Sequence, residues 1–290
     1  PYFVDTVVNF GLNLYRFENV FSDFTRQSLG GDLTLGYPLT DDWLISSTYK
    51  LEQVEVQAGG FSGVSPDDSR LAIYGSGLTS SLRLGLSFDT RNNRIFPTDG
   101  VFLTTSAEHA PDFLLSENEF TRYRAQGRFY YGLGLGVVAK LRTEWGRIFG
   151  HGDNGVPLFE RFFVGGPLTV RGFQRNSLSP TMSIISGGIP YGTSYRINEG
   201  GTEQLLMNAE IEYPIFQQVQ VRGVFFFDGG NAFQVSDSFD TKLESLRYAW
   251  GFGIRWFSPM GPLRFEWGFP LSPRDDEQSS VFEFSIGNFF

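Results

Sequence analysis

The sequence predicts an all-β fold, a transmembrane antiparallel up-and-down barrel. Three observations carry that prediction: about twelve stretches of alternating apolar and polar residues, connections that alternate between short and long, and a final stretch ending on a C-terminal phenylalanine. Successive side chains of a strand point to opposite faces, so alternation makes one face greasy and the other polar. The stretches fall at 4–18, 28–38, 42–57, 78–90, 101–109, 120–132, 134–149, 204–214, 219–229, 247–257, 262–270 and 280–290. An even number returns both chain ends to one side of a barrel. One continuous pattern predicts a single domain over residues 1–290.

Taken in chain order, the short connections carry Pro, Gly and Asp: Pro38-Leu39-Thr40-Asp41, Pro97-Thr98-Asp99-Gly100, Pro214-Ile215-Phe216 and Ser258-Pro259-Met260-Gly261. Between them lie long segments at 19–27, 58–77, 110–119, 150–203, 230–246 and 271–279. In bacterial barrels short turns face the periplasm and long loops face outside, which puts the C-terminus at the periplasmic rim. The stretch 133–145 sets Leu133, Leu135, Val137, Ala139, Leu141 and Trp145 against Gly134, Gly136, Val138, Lys140, Arg142 and Glu144. In 205–213, Leu205, Met207, Ala209, Ile211 and Tyr213 oppose Leu206, Asn208, Glu210 and Glu212. A Lys or Arg at lipid mid-depth costs about 2–4 kcal/mol, so the charged faces belong in a wet lumen. In the last stretch Phe282, Phe284, Ile286 and Phe290 share the apolar face, interrupted by Asn288. Trp43, Phe88, Phe102, Trp145, Trp256 and Trp267 stand near strand ends, where interfacial girdles form. A soluble β-sandwich also alternates; strand lengths near ten, the aromatic load and the terminal Phe favour the membrane.

Composition agrees. The 290 residues include 31 Phe and 35 Gly, no Cys, and a net charge of -9. No apolar run approaches the roughly 20 residues of a membrane helix. Absent cysteine removes thiol chemistry and cysteine metal sites, and suits an oxidising cell-surface setting. The acidic balance and the lack of a basic run argue against a nucleic-acid partner. The chain opens at Pro1 with neither initiator methionine nor signal peptide, so a trimmed piece of an exported protein is expected.

Candidate chemistry is sparse. His109 and His151 are the two histidines, both at strand ends, and neither a metal site nor a nucleophile-histidine-acid arrangement is expected of them. No enzyme, cofactor or metal is therefore predicted. Gly132-Leu133-Gly134-Leu135-Gly136 imitates a phosphate loop but is expected inside a strand, with no helix after it. The segment 150–203 is far longer than an ordinary loop. Its first half, from Pro157 to Phe173, is too apolar and aromatic to float in solvent, and should fold back onto the barrel.

Here a family resemblance enters. Val170-Arg171-Gly172-Phe173, with Phe163-Val164-Gly165-Gly166 before it and Gln174-Arg175-Asn176 after, resembles the sixth extracellular loop of the BamA superfamily of outer-membrane assembly and secretion barrels. Asp89-Thr90-Arg91-Asn92 with Phe96-Pro97-Thr98-Asp99-Gly100, then Trp256 to Leu263, and the terminal Phe follow in the same order. The resemblance implies that the long loop enters the lumen and sets Arg171 against Glu210 and Asp228 as latch partners. Periodicity separately puts Glu210 on the polar face. Arginine suits a latch because its planar guanidinium grips carboxylates bidentately and stays charged. The resemblance also implies a barrel of sixteen strands, of which twelve are present, with four strands and the POTRA domains upstream.

The function so implied is that of an insertase folding unfolded outer-membrane proteins into the lipid bilayer of the Gram-negative cell outer membrane, with accessory lipoproteins as partners. The last strand would form one side of a seam that opens sideways and offers its edge to a client. The alternative is a two-partner secretion translocase of the same superfamily, and a passive porin comes third. A porin would lack a long apolar loop plugging its lumen.

Overall fold

The computed structural model describes residues 7–20, 24–58, 76–152, 155–185, 194–234, 243–258, 261–275 and 277–286. Twelve strands form one antiparallel sheet: β1 (Asn9–Val20), β2 (Phe24–Pro38), β3 (Trp43–Ala58), β4 (Gly77–Asp89), β5 (Gly100–Ala110), β6 (Phe120–Gly134), β7 (Val137–Gly150), β10 (Glu203–Phe216), β11 (Val221–Phe233), β12 (Arg247–Ser258), β13 (Gly261–Pro270) and β14 (Val281–Ile286). A separate hairpin, β8 (Thr181–Ile185) with β9 (Ser194–Asn198), lies inside the long segment between β7 and β10. Each strand of the main sheet pairs with its neighbours in order, so the topology is a plain meander. Among the described residues β1 and β14 are unpaired with each other and form the two edges of the sheet.

Alternation decides which face is which. On β2, β3, β10 and β12 the exposed side chains include Leu29, Leu33, Leu35, Ile45, Leu51, Met207, Ile211, Trp250, Phe252 and Ile254. Their strand neighbours Lys50, Glu52, Asn208, Glu210, Glu212 and Arg255 are buried on the opposite, inner face. A charged interior under an apolar exterior reverses the polarity of a soluble domain. It is the distribution that a hydrocarbon surrounding requires. Outer-face rings pack across strands, Trp250 stacked on Phe269 at 4.9 Å and Trp267 tilted against Phe282 at 4.7 Å, as cross-strand pairs do.

Three expectations are corrected. Within 19–27, residues 19–20 and 24–27 are strand, where Gln27 donates to Glu18 across the β1–β2 pair at 3.0 Å and Arg26 turns inward to Glu52. The glycine-rich run ends β6 and makes the β6–β7 turn rather than lying in a strand interior: Gly134 and Gly136 take φ of 92° and 79°, and Leu135 between them, at φ 53°, is 95% exposed. Such backbone is cheap for glycine and costly for a branched side chain. Phe102 faces inward, with the Arg91 guanidinium 4.3 Å from its ring centre, and so belongs to no outer girdle. As expected of so apolar a run, the long segment folds back onto the barrel, where an apolar cluster joins it to wall residues Ala110, Phe120, Ile148, Leu206, Ala232 and Ala249.

Ile211→Arg, on the outer face of β10, is expected to lower stability by about 2–4 kcal/mol. Reversible denaturant unfolding in phospholipid bilayers measures this, and an unchanged midpoint would remove the lipid-facing assignment.

Candidate functional site

The sheet wraps around residues 155–180. Val156, Phe162, Val164, Val170, Phe173 and Leu178 of this segment supply half of the interior apolar cluster, which is why a run so rich in aromatics needs no solvent face. The segment's backbone is tied at both ends: Phe162 and Gly201 exchange hydrogen bonds of 2.8 Å, and Ala232 donates to the Leu178 carbonyl at 3.1 Å. Its tip lies against β13. Gly172 adopts φ 86°, and a Cβ on Gly268 would stand 2.4 Å from the Gly172 nitrogen. Any side chain at either position would push the two backbones apart.

That approach delivers Arg171, which is 3% exposed, into a carboxylate cage. Its Nε and Nη2 donate to Oδ2 and Oδ1 of Asp228 at 2.6 and 2.7 Å, and its backbone N–H donates to the same Oδ2 at 3.1 Å. Nη1 donates to Glu210 at 2.6 Å and to Glu266 at 3.3 Å. The guanidinium carbon lies 3.6 Å from the Phe226 ring centre, so both edge and face of the fork are used. Arg255 bridges the same acids, reaching Glu210 at 2.7 and 2.8 Å and Glu266 at 2.8 and 3.1 Å. Arg264 pairs closely with Glu266. Alternating signs leave no carboxylate of this cage uncompensated, the condition under which buried charge is tolerable. Flanking contacts complete the seat: Asn208 donates to the Thr169 carbonyl at 2.6 Å and Arg142 to the Leu168 carbonyl at 2.9 Å.

The structure brings Arg171 together with Glu210 and Asp228, the residues the motif picked out. It adds Glu266, Arg255, Arg264 and Phe226, which sequence reasoning missed. Strand register on β11, β12 and β13 places all four inward, but periodicity alone does not tell which inward residues share one depth. Val170 and Phe173 are buried beside the tip, and Arg247 lies over the Phe173 ring at 5.1 Å.

A second anchor of opposite sign was also missed. Glu160, ten residues or so before the tip, is buried against Arg122 at 2.7 Å, with Lys50 at 3.7 Å and Arg26 at 3.8 Å. Burial would push its carboxyl upward, yet the fields of Lys50, Arg122 and Arg26 outweigh that and hold it below the usual carboxylate range. Glu52 and Glu108 balance the same bases, at 3.1 Å to Arg26 and 2.6 Å to Arg122. The available signal was a lone carboxylate inside the apolar run Leu158-Phe159-Glu160-Arg161-Phe162. The segment thus spans the interior with an anion held by β2, β3 and β6 and a cation held by β10, β11 and β13.

Phe282, Phe284 and Ile286 stand exposed on the outer face of β14, the sheet edge. Phe290 and Asn288 lie outside the described residues. Glu283, on the inner face of β14, registers with Glu266 of β13.

The family profile of the Omp85 superfamily domain matches residues 1–290. The chain belongs to the Omp85 superfamily. Among curated relatives of this Omp85 chain, the outer membrane protein assembly factor BamA of Nitratidesulfovibrio vulgaris is 28% identical over 292 residues, 99% of this chain and 35% of that protein. The sorting and assembly machinery component 50 homolog of Bos taurus is 26% identical over 264 residues, 85% of this chain and 52% of that protein. The chain therefore spans about a third to a half of these relatives' length. The crystal structure of BamA from Haemophilus ducreyi lacking POTRA domains 1-3 superposes with a TM-score of 0.82 at 19% identity, covering 100% of this chain and 60% of that one. CdiB from Acinetobacter baumannii gives a TM-score of 0.55 at 16% identity, covering 91% and 42%. The fold is that of the BamA barrel, and the protein is an outer-membrane protein.

Arg171→Ala strips the counter-charge from Asp228, Glu210 and Glu266 together and is expected to cost about 3–5 kcal/mol. Limited proteolysis of 151–202 should become faster, with Arg171→Lys intermediate because an ammonium lacks the fork. Unchanged proteolysis in the alanine variant would rule the anchor out. A double-mutant cycle between Glu160 and Arg122 should give a coupling of about 0.5–3 kcal/mol, and a coupling of zero would show that the second anchor contributes nothing.

Proposed function

We propose that this chain is the membrane-embedded part of an outer-membrane protein assembly factor, which acts on unfolded outer-membrane proteins by non-covalent strand pairing and without catalysis. One observation carries the reading: the cage that holds the lumen segment is built on the strand next to the open edge. Glu266, a ligand of Arg171, lies on β13, and β13 is hydrogen-bonded to the edge strand β14. Rigidity of the cage therefore passes directly to β14, which among the described residues has β13 as its one strand partner and a second edge that can pair with another chain. The names borne by the relatives from N. vulgaris and B. taurus, both assembly components, support the same reading. Accessory lipoproteins enter it as partners that help deliver clients.

The rival is polypeptide translocation through the interior, as in two-partner secretion. The resemblance gives that translocase the same type of lumen loop, so the two readings are separated by what is lost when the protein is removed. Depleting the protein in its host should lower the folded, heat-modifiable fraction of many barrel proteins at once. If one exported polypeptide alone disappears from the cell surface while other barrels fold normally, the translocase reading replaces this one.

A further inference from the structure

The two histidines of the sequence, 42 positions apart in the chain numbering of His109 and His151, meet at the rim of the sheet. His109 is at the end of β5 and pairs in register with Thr121 of β6. His151 follows the last residue of β7 and is held there by its N–H, which donates to the Glu119 carbonyl at 3.1 Å. The Thr121 hydroxyl lies 2.9 Å from His109 Nδ1 and 2.7 Å from His151 Nε2. The ring centres are 5.9 Å apart and the planes cross at 73°. Nothing in the sequence near either histidine predicts that three strand ends come level.

We propose that His109 and His151 together form an exposed binding site for a divalent transition-metal ion. Both rings aim a nitrogen at one point, now marked by a single hydroxyl oxygen. Two imidazoles that share an ion with metal–nitrogen distances of about 2.0–2.1 Å have their ring centres about 5–6 Å apart, so small rotations of two exposed side chains suffice. Neutral imidazole suits zinc, copper and nickel, and copper(II) binds most tightly of the divalent series. Among the described residues no group of three or more His, Asp or Glu is placed to hold a metal. Water therefore fills the remaining positions, and the ion exchanges readily. Its place gives it a mechanical consequence: it staples the end of β5 to the residue where β7 leaves for the lumen segment.

The test uses the full chain without a polyhistidine tag, refolded in micelles, stripped with chelator and titrated with copper(II) by calorimetry and electron paramagnetic resonance. One equivalent should bind, with a spectrum of two nitrogen ligands. His109→Ala and His151→Ala should each weaken binding by at least the about 10–100-fold that loss of a mere ligand-orienting partner costs. Heat-modifiable gel mobility checks that both variants remain folded. Thr121→Val, which removes the hydroxyl and leaves both rings, should retain the bound ion. Tight copper binding that survives in either alanine variant, no binding by the parent chain, or a loss in Thr121→Val equal to that of the histidine variants would overturn the site.

Discussion

A guanidinium enclosed by three carboxylates sets the terms for the rest of this molecule. Arg171 reaches Asp228, Glu210 and Glu266 from a segment that no strand contains. Those acids sit on three different strands, so the contact exists only when β10, β11 and β13 are in their observed register. Removing one partner of such a buried group strands the others in low dielectric. Keeping all of them is worth little net stability, since a hydrophobic replacement of equal shape often does as well. What the cage supplies is uniqueness of position: a guanidinium fork accepts few arrangements, and a shift of one residue along a strand would turn every ligand to the lipid.

The second anchor makes the arrangement directional. Glu160 seeks bases and Arg171 seeks acids, and the wall offers bases on β2, β3 and β6 and acids on β10, β11 and β13. Reversing the segment end for end would set like charges together at both places. The apolar cluster between the anchors fills the space without specifying orientation, since hydrophobic contact is non-directional. Charge thus provides the address and burial the adhesion. The glycine contact between Gly172 and Gly268 then sets how closely the tip seats.

Much of this was legible in the sequence because a membrane imposes period-two patterning on every strand. The twelve strands lie where alternation puts them, and 205–213 already showed Glu210 and Glu212 on the polar face. The features that were missed share a cause. Glu266, Arg255 and Glu160 matter through depth and register relative to residues far away in the chain, and one strand's pattern carries neither. The 133–136 run misled because glycine alternates with leucine there as in a strand, while left-handed backbone at Gly134 and Gly136 makes it a turn. The β8–β9 hairpin escaped because five-residue strands stand too close to the noise of any polar loop.

Residues 155–180 lie within the sheet's interior, held there by opposed charges. A chain without cysteine permits a direct check, by labelling single cysteines with a membrane-impermeant maleimide on intact cells. A cysteine in place of buried Val170 should stay unlabelled until denaturation, while one at Phe113, 79% exposed in the β5–β6 loop, should react at once. Equal labelling rates at the two positions would contradict the account.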